Sequence, residues 1–179
     1  MPGGVQDFAR ALNARKTELG EFRLGPGGLR CYLSAAIDLF DGRVTAWSAG
    51  PSPSKALAQG MLSRLEGELE PGCVVHSNRG WHFRTPDWVS ACEAMGVTRS
   101  MSRLGHSPDN AAMEGFFGRL KVEMFEGRDW SGWMAGEFVA ELGRHIDWHD
   151  GERLKSFDEG GRRVWDTIDG RRRRLGLAA

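Results

Sequence analysis

The sequence predicts a single α/β domain, a mixed five-stranded sheet with helices on both faces, in the order βββαβαβα. Three observations carry that prediction. The early part of the chain alternates polar and apolar residues between strong turn signals. The middle then switches to apolar spacing of three and four. The short apolar runs that follow are each separated by a stretch with that helical spacing. At 179 residues, 40% of them hydrophobic, the chain is long enough for one domain with its own core.

Residues 1–16 are weakly patterned and read as a loose arm, with the core over 17–150. From Thr17 the pattern is strand-like: Glu21-Phe22-Arg23-Leu24 alternates, and Gly25-Pro26-Gly27-Gly28 turns the chain. Leu29 to Leu39 is a second strand, and Asp41-Gly42 is a hairpin dipeptide leading into a third over Arg43 to Ser48. Pro53 and Ser54 open a helix whose Ala56, Leu57, Met61, Leu62 and Leu65 share a face; Pro71-Gly72 closes that stretch. Cys73 to His76 is a short buried strand, Pro86 to Met95 a helix stopped by Gly96, and Val97 to Met101 a fifth strand. Asp109 or Asn110 caps a helix reaching about Phe125, with Met113, Phe117, Leu120 and Met124 inward. A last helix spans about Gly136 to Trp148. Residues 151–179 are rich in Arg and Gly and read as a loosely packed tail.

Composition excludes several classes. Lys+Arg and Asp+Glu both number 24, so the chain is no uniformly basic nucleic-acid coat, although a local basic surface is still allowed. The 25 glycines lack a three-residue period, which removes collagen-like readings. No apolar run is long enough to span a membrane, and the N-terminus lacks a signal-type stretch. Cys31, Cys73 and Cys92 are widely spaced and fit free thiols in a reducing cytoplasm, not a disulfide framework or a zinc knuckle.

The chemistry-bearing residues collect at strand ends, where open α/β sheets place their sites. The fourth strand runs into His76-Ser77-Asn78-Arg79-Gly80 and then Trp81-His82-Phe83. On the later helix Glu114, Gly118 and Lys121 share one face. A carboxylate, a gap and a cation in that order suit a metal and a phosphate together; a solvated Glu/Lys face is the plainer alternative. His145 and His149 sit four apart, but no third ligand is near, so a helical pair without metal is expected. Trp81, Trp88, Trp130 and Trp133 are either core anchors or base-stacking platforms. The Arg171–Arg174 run is a phosphate-binding candidate or a solvated tail.

The stretches YLSAAIDLFDGRVTAWS, HSNRGWHF and RSMSRLGHSPDNAAMEGFFGRLKVEMF resemble the integrase-type catalytic core of insertion-sequence transposases, the copy-out, paste-in elements similar to retroviral integrase. The resemblance covers roughly residues 17–155 and implies an RNase H-like fold. It also implies DNA integration by phosphoryl transfer at DNA ends, dependent on Mg²⁺ or Mn²⁺. Family members carry two Asp and one Glu, in T-D-x-T-E-F, H-S-D-x-G and D-N-A-x-x-E-x-F-F. The chemistry uses three acids to hold two cations about 3.5–4 Å apart across an in-line displacement.

The matching positions here are Glu18, Asn78 and Glu114, the implied catalytic and metal-binding residues, and Asn78 and Glu114 enclose the family's 35 residues. Two of the three depart from the pattern. Asn78 removes a full negative charge, and Glu18 adds a methylene to a ligand whose placement matters at the 1 Å scale, where about 10²-fold in rate is at stake. Weakened metal binding and impaired catalysis are therefore expected. Arg79, Arg103, His106, Arg119 and Lys121 are the implied DNA contacts, and Asp38 is a less favoured substitute ligand. The implied partners are DNA (element ends and target), with self-association or association with an intact transposase. The alternative is a catalytically dead DNA-binding or oligomerisation partner of an intact transposase, or a decayed remnant.

Overall fold

In the computed structural model, residues 14–25, 28–69, 72–102 and 111–177 are described. Strands β1 (Ala14–Leu24), β2 (Leu29–Asp38) and β3 (Val44–Gly50) form an antiparallel meander. The chain then crosses over, and β4 (Val74–Ser77) and β5 (Thr98–Met101) add in parallel on the other side of β1, giving the order β3-β2-β1-β4-β5. The expected mixed five-stranded sheet is present, and β1 is its central strand.

The helices take both faces because the strands are apolar on both. Helix α1 (Lys55–Leu65) starts where Ser54 accepts a hydrogen bond from the Leu57 amide at 3.2 Å. Helix α2 (Pro86–Ala94) is capped by Thr85 and has proline in its first turn. These two helices enclose Ala36, Ala46, Met61, Leu62, Leu65, Val75, Phe83, Trp88 and Cys92 against one face. On the other face, α3 (Ala111–Leu120) and α4 (Ala135–Gly151) bring Met113, Phe117, Leu120, Phe138, Leu142 and Ile146 onto Phe22, Leu24, Leu33, Ala35 and Ile37. A π turn over Lys121–Phe125 prolongs α3 and places Met124 in the same core.

Two departures from the sequence reading have clear causes. β1 begins at Ala14, ahead of Thr17, because Arg15 and Lys16, which interrupt the apolar alternation, are themselves buried. Arg15 is held in place by Asp38 on the neighbouring strand at 3.1 Å. The expected loose arm thus has its last residues in the sheet; residues 1–13 lie outside the described residues. The second departure is the C-terminal segment, which is ordered rather than loosely packed. It forms a hairpin, β6 (Lys155–Glu159) and β7 (Arg162–Asp166), followed by α5 (Ile168–Arg174).

That segment is fastened to the β2–β3 turn by charge. Arg172 reaches Asp38 at 2.5 Å and Asp41 at 2.7 Å, with all three side chains almost fully buried. Arg171 lies between the rings of Phe40 and Phe157, 4.3 and 4.4 Å from their centroids. The solvated-tail reading of the Arg171–Arg174 run therefore fails for its first two members. Among the described residues, no helix is long and apolar enough to cross a membrane, and the three cysteines are buried and free.

Candidate active site

Parallel pairing of β1 with β4 runs from Ala14 opposite Val74 to Thr17 opposite Ser77. One step further, Glu18 meets Asn78 where β4 ends. The Asn78 side-chain nitrogen donates to Glu18 Oε1 at 3.1 Å. Its oxygen turns the other way and accepts from the Gly80 backbone amide at 2.9 Å. The amide orientation is fixed from both sides, since a flip would set oxygen against carboxylate and NH₂ against N–H. Gly80 leaves room for both side chains: a Cβ on it would stand 2.9 Å from the Asn78 oxygen and 2.8 Å from His82 Nε2, so one of them would have to shift.

Glu114 arrives from the opposite side of the sequence. Helix α3 crosses β1 where Phe117 covers Gly20, and a Cβ on Gly20 would sit only 2.3 Å from the Phe117 ring. Gly20 is two residues beyond Glu18 on the same strand face, and Phe117 is one turn beyond Glu114, so this close crossing lays the helix on the strand face that carries Glu18. Glu114 itself is exposed. The contact between Glu18 and Asn78 is direct; Glu114 has no ion pair or hydrogen bond among the described residues. Nor do the described residues contain a group of three His, Cys, Asp or Glu arranged to hold a metal.

Helix α3 sorts the expected basic residues onto two flanks. Met113, Phe116, Phe117, Leu120 and Met124 face the core. Glu114, Gly118 and Lys121 lie along one side, with open space over Gly118. Ala112, Gly115 and Arg119 lie along the other, where they line a separate cavity. Lys121 thus shares the Glu114 flank and Arg119 does not. Arg79 is exposed immediately after Asn78. Arg103 and His106 lie outside the described residues, as do the capping candidates Asp109 and Asn110.

Other sequence candidates resolve into structure. Asp38 is 1% exposed and committed to Arg15 and Arg172, so it is not available as a substitute ligand. Burial pushes its carboxyl pKa up, against the Phe40 amide, Arg15 and Arg172, which pull it down. His149 binds Asp150 at 2.7 Å and the His145 ring lies 5.2 Å from that of Trp148 at a 40° tilt, so the helical histidines have different neighbours. Trp88 and Trp130 are core residues, while Trp81 is 56% exposed beside the Asn78 loop. His76 spans Ser100 and Ser102 at 2.9 and 3.0 Å, fixing β4 to β5 below the site. Missed by the sequence reading was the Arg15–Asp38–Arg172–Asp41 cluster. Its one legible signal was Gly160-Gly161, a hairpin dipeptide whose two residues both take positive φ.

The strand order and the helices on both faces define an RNase H-like core. An integrase core domain model matches residues 16–107, about half of the sequence, and the chain belongs to that family. It is 42% identical over 154 residues to a probable transposase for insertion sequence element IS1353 of Shigella flexneri, covering 84% of this chain and 30% of that protein. It is 32% identical over 140 residues to the putative transposase InsK for insertion sequence element IS150 of Escherichia coli K12, covering 77% of this chain and 48% of that protein. The chain therefore spans half or less of the length of these relatives.

Among solved structures it resembles a chain of a simian T-cell lymphotropic virus intasome in complex with PP2A regulatory subunit B56 gamma. The TM-score is 0.69 at 12% identity, over 80% of this chain and 50% of that one. The HTLV-2 integrase catalytic core domain in complex with magnesium (dimeric form) matches with a TM-score of 0.54 at 8% identity, over 86% of this chain and 93% of that one. At such identities the likeness speaks to the fold.

Proposed function

We propose that this chain is a transposase catalytic-core domain, related to enzymes of DNA integration, in which the metal-dependent step is disabled at the Glu18–Asn78–Glu114 site. The observation that carries this reading is the hydrogen bond from Asn78 to Glu18. In a two-cation centre the facing oxygens of two carboxylates repel until a cation lies between them. Here an NH₂ group occupies the facing position, donates to the carboxylate, and makes the pair self-sufficient. The Asn78 oxygen, the one atom of that side chain able to ligate Mg²⁺, is engaged by Gly80. The residues as arranged do not fit a two-metal centre.

What survives is a binding surface. Arg79 beside the pair and Lys121 on the Glu114 flank supply cations suited to phosphates, which position a duplex without reading its sequence. The native chain in this reading binds DNA without cutting it, alone or beside an intact transposase. The test is Mn²⁺ calorimetry on the native chain and on Glu18→Asp with Asn78→Asp. No saturable binding is expected for the native chain, and binding should appear in the double variant. Equal binding by both would refute the proposed lesion.

A further inference from the structure

The cavity on the Arg119 flank of α3 has no part in the site above. It measures about 440 Å³, within the ~300–1,000 Å³ usual for ligand sites. One wall is α3, where Gly115 leaves the floor open: nothing lies within 4 Å of the Cβ it lacks. The opposite walls are the β2–β3 turn and the C-terminal hairpin. Four cations line it: Arg119, Arg153, Lys155 and Arg171.

Their carboxylate partners are too few. Arg153 is paired with Glu123 at 2.6 Å and Arg171 with Glu159 at 3.2 Å. Arg119 is exposed and has no ion pair among the described residues. Lys155 donates to a backbone carbonyl, that of Asp41, and lies over the turn because Gly42 has no Cβ; one would come within 3.0 Å of its ammonium. Burial lowers the Lys155 pKa; Asp41 opposes this, while Arg119, Arg153 and Arg171 add to the lowering. Of the acids that line the cavity, Asp38 and Asp41 are committed to Arg15 and Arg172 beneath it, and Asp158 accepts from the Gly161 amide at the hairpin turn. That leaves one carboxylate outside an ion pair against Arg119 and Lys155. His149 also lines the cavity; its Nδ1 is held by Asp150, and Nε2 has no partner among the described residues.

We propose that this cavity is a second anion site, on the flank of α3 opposite Glu114, where Arg119, Arg153 and Lys155 hold the oxygens of a phosphate group. Guanidinium forks and an ammonium converging on one concave space match a phosphate's several oxygens. The phosphate comes either from a nucleic-acid backbone or from a free phosphate or nucleotide. A backbone source deepens the DNA-binding reading and rests on it. The binding chemistry itself does not, since no residue is shared with Glu18, Asn78 or Glu114.

The test uses the full chain and two charge-matched double variants. Arg119→Gln with Lys155→Gln alters the cavity, and Arg128→Gln with Arg144→Gln removes the same charge from the exposed Glu141 pairs elsewhere. Thermal unfolding is followed against inorganic phosphate at constant ionic strength, without metal or DNA. A saturable rise in Tm is expected for the native chain and the control, and its loss is expected in the cavity variant. No saturable rise in the native chain, or a rise retained by the cavity variant, would overturn the site. If Lys155→Gln prevents folding, Arg119→Gln alone carries the comparison.

A second arm measures binding of a plain duplex against salt. A slope lower by about 0.9 in the cavity variant than in the control places one DNA phosphate in the cavity. An unchanged slope with the phosphate response lost assigns the site to free phosphate or a nucleotide. Because the first arm contains neither DNA nor metal, its failure is distinguishable from failure of the DNA-binding reading.

Discussion

Asn78 differs from aspartate by one atom, and that atom inverts the local chemistry. Two carboxylates side by side at the end of β4 would be held only by a cation. An amide and a carboxylate at 3.1 Å hold each other. Arg172 shows the same logic with a different outcome. Together with Arg15 it neutralises Asp38 and Asp41, in a setting where Arg172 and both acids are at most 7% exposed. Removing one member of a buried charged cluster leaves uncompensated charge, which costs about 3–5 kcal/mol. Arg172→Met should therefore lower unfolding stability by about that amount in urea denaturation. Arg174→Met, whose side chain is 43% exposed and whose partners are solvated, should cost less than about 1 kcal/mol. Equal effects would contradict the assignment of Arg172 as the anchor of the C-terminal segment.

At the scale of elements, the angle at which α3 crosses the sheet decides which of its residues serve which site. The crossing depends on Gly20, whose missing Cβ admits the Phe117 ring. Gly20→Ala should cost about 1–3 kcal/mol by overpacking. In a double-mutant cycle, Phe117→Leu should recover part of that loss, whereas additivity would show that the two positions are not in contact. Periodicity revealed α3 itself, its core stripe and the Glu114–Gly118–Lys121 alignment, because these are properties of a single helix. It did not reveal that Arg119 turns to another cavity, since the opposite flank acquires meaning only when β6 and β7 pack beside it. The hairpin stayed hidden for a related reason. Lys155–Glu159 and Arg162–Asp166 contain one buried apolar side chain between them, Phe157, so apolar alternation was nearly absent. Charge pairing with the β2–β3 turn supplies what apolar burial does not, and pairing across more than a hundred residues leaves no local pattern.

Across the whole molecule, the buried His82 and the half-buried His145 set a pH dependence. Burial lowers the pKa of His82, and burial likewise lowers that of His145 against the pull of Glu123, with His149, Arg128 and Arg153 adding to the lowering. Such groups are neutral in the fold and titrate near 6.5 once unfolded, so their contribution is intact above that value and is lost as pH falls below it. The two histidines should therefore lower the urea midpoint between pH 7.5 and pH 5.5, while the raised Asp38 and Asp150 act in the opposite direction as pH falls. His82→Phe should remove part of that histidine contribution; a pH dependence unchanged by the substitution would contradict it.

Part of the candidate site is legible in the sequence and part is not. Motif spacing placed Glu18, Asn78 and Glu114 in one family pattern, and strand register then brings the first two into contact. Which way the Asn78 amide points depends on the Gly80 backbone, a tertiary detail that residue identity alone does not contain.

The most direct test of the account is nicking and strand transfer on duplex DNA with Mg²⁺ and with Mn²⁺, comparing the native chain with Glu18→Asp and Asn78→Asp combined. The account predicts no activity above background for the native chain. Metal-dependent nicking by the native chain that disappears with Glu114→Gln would contradict it.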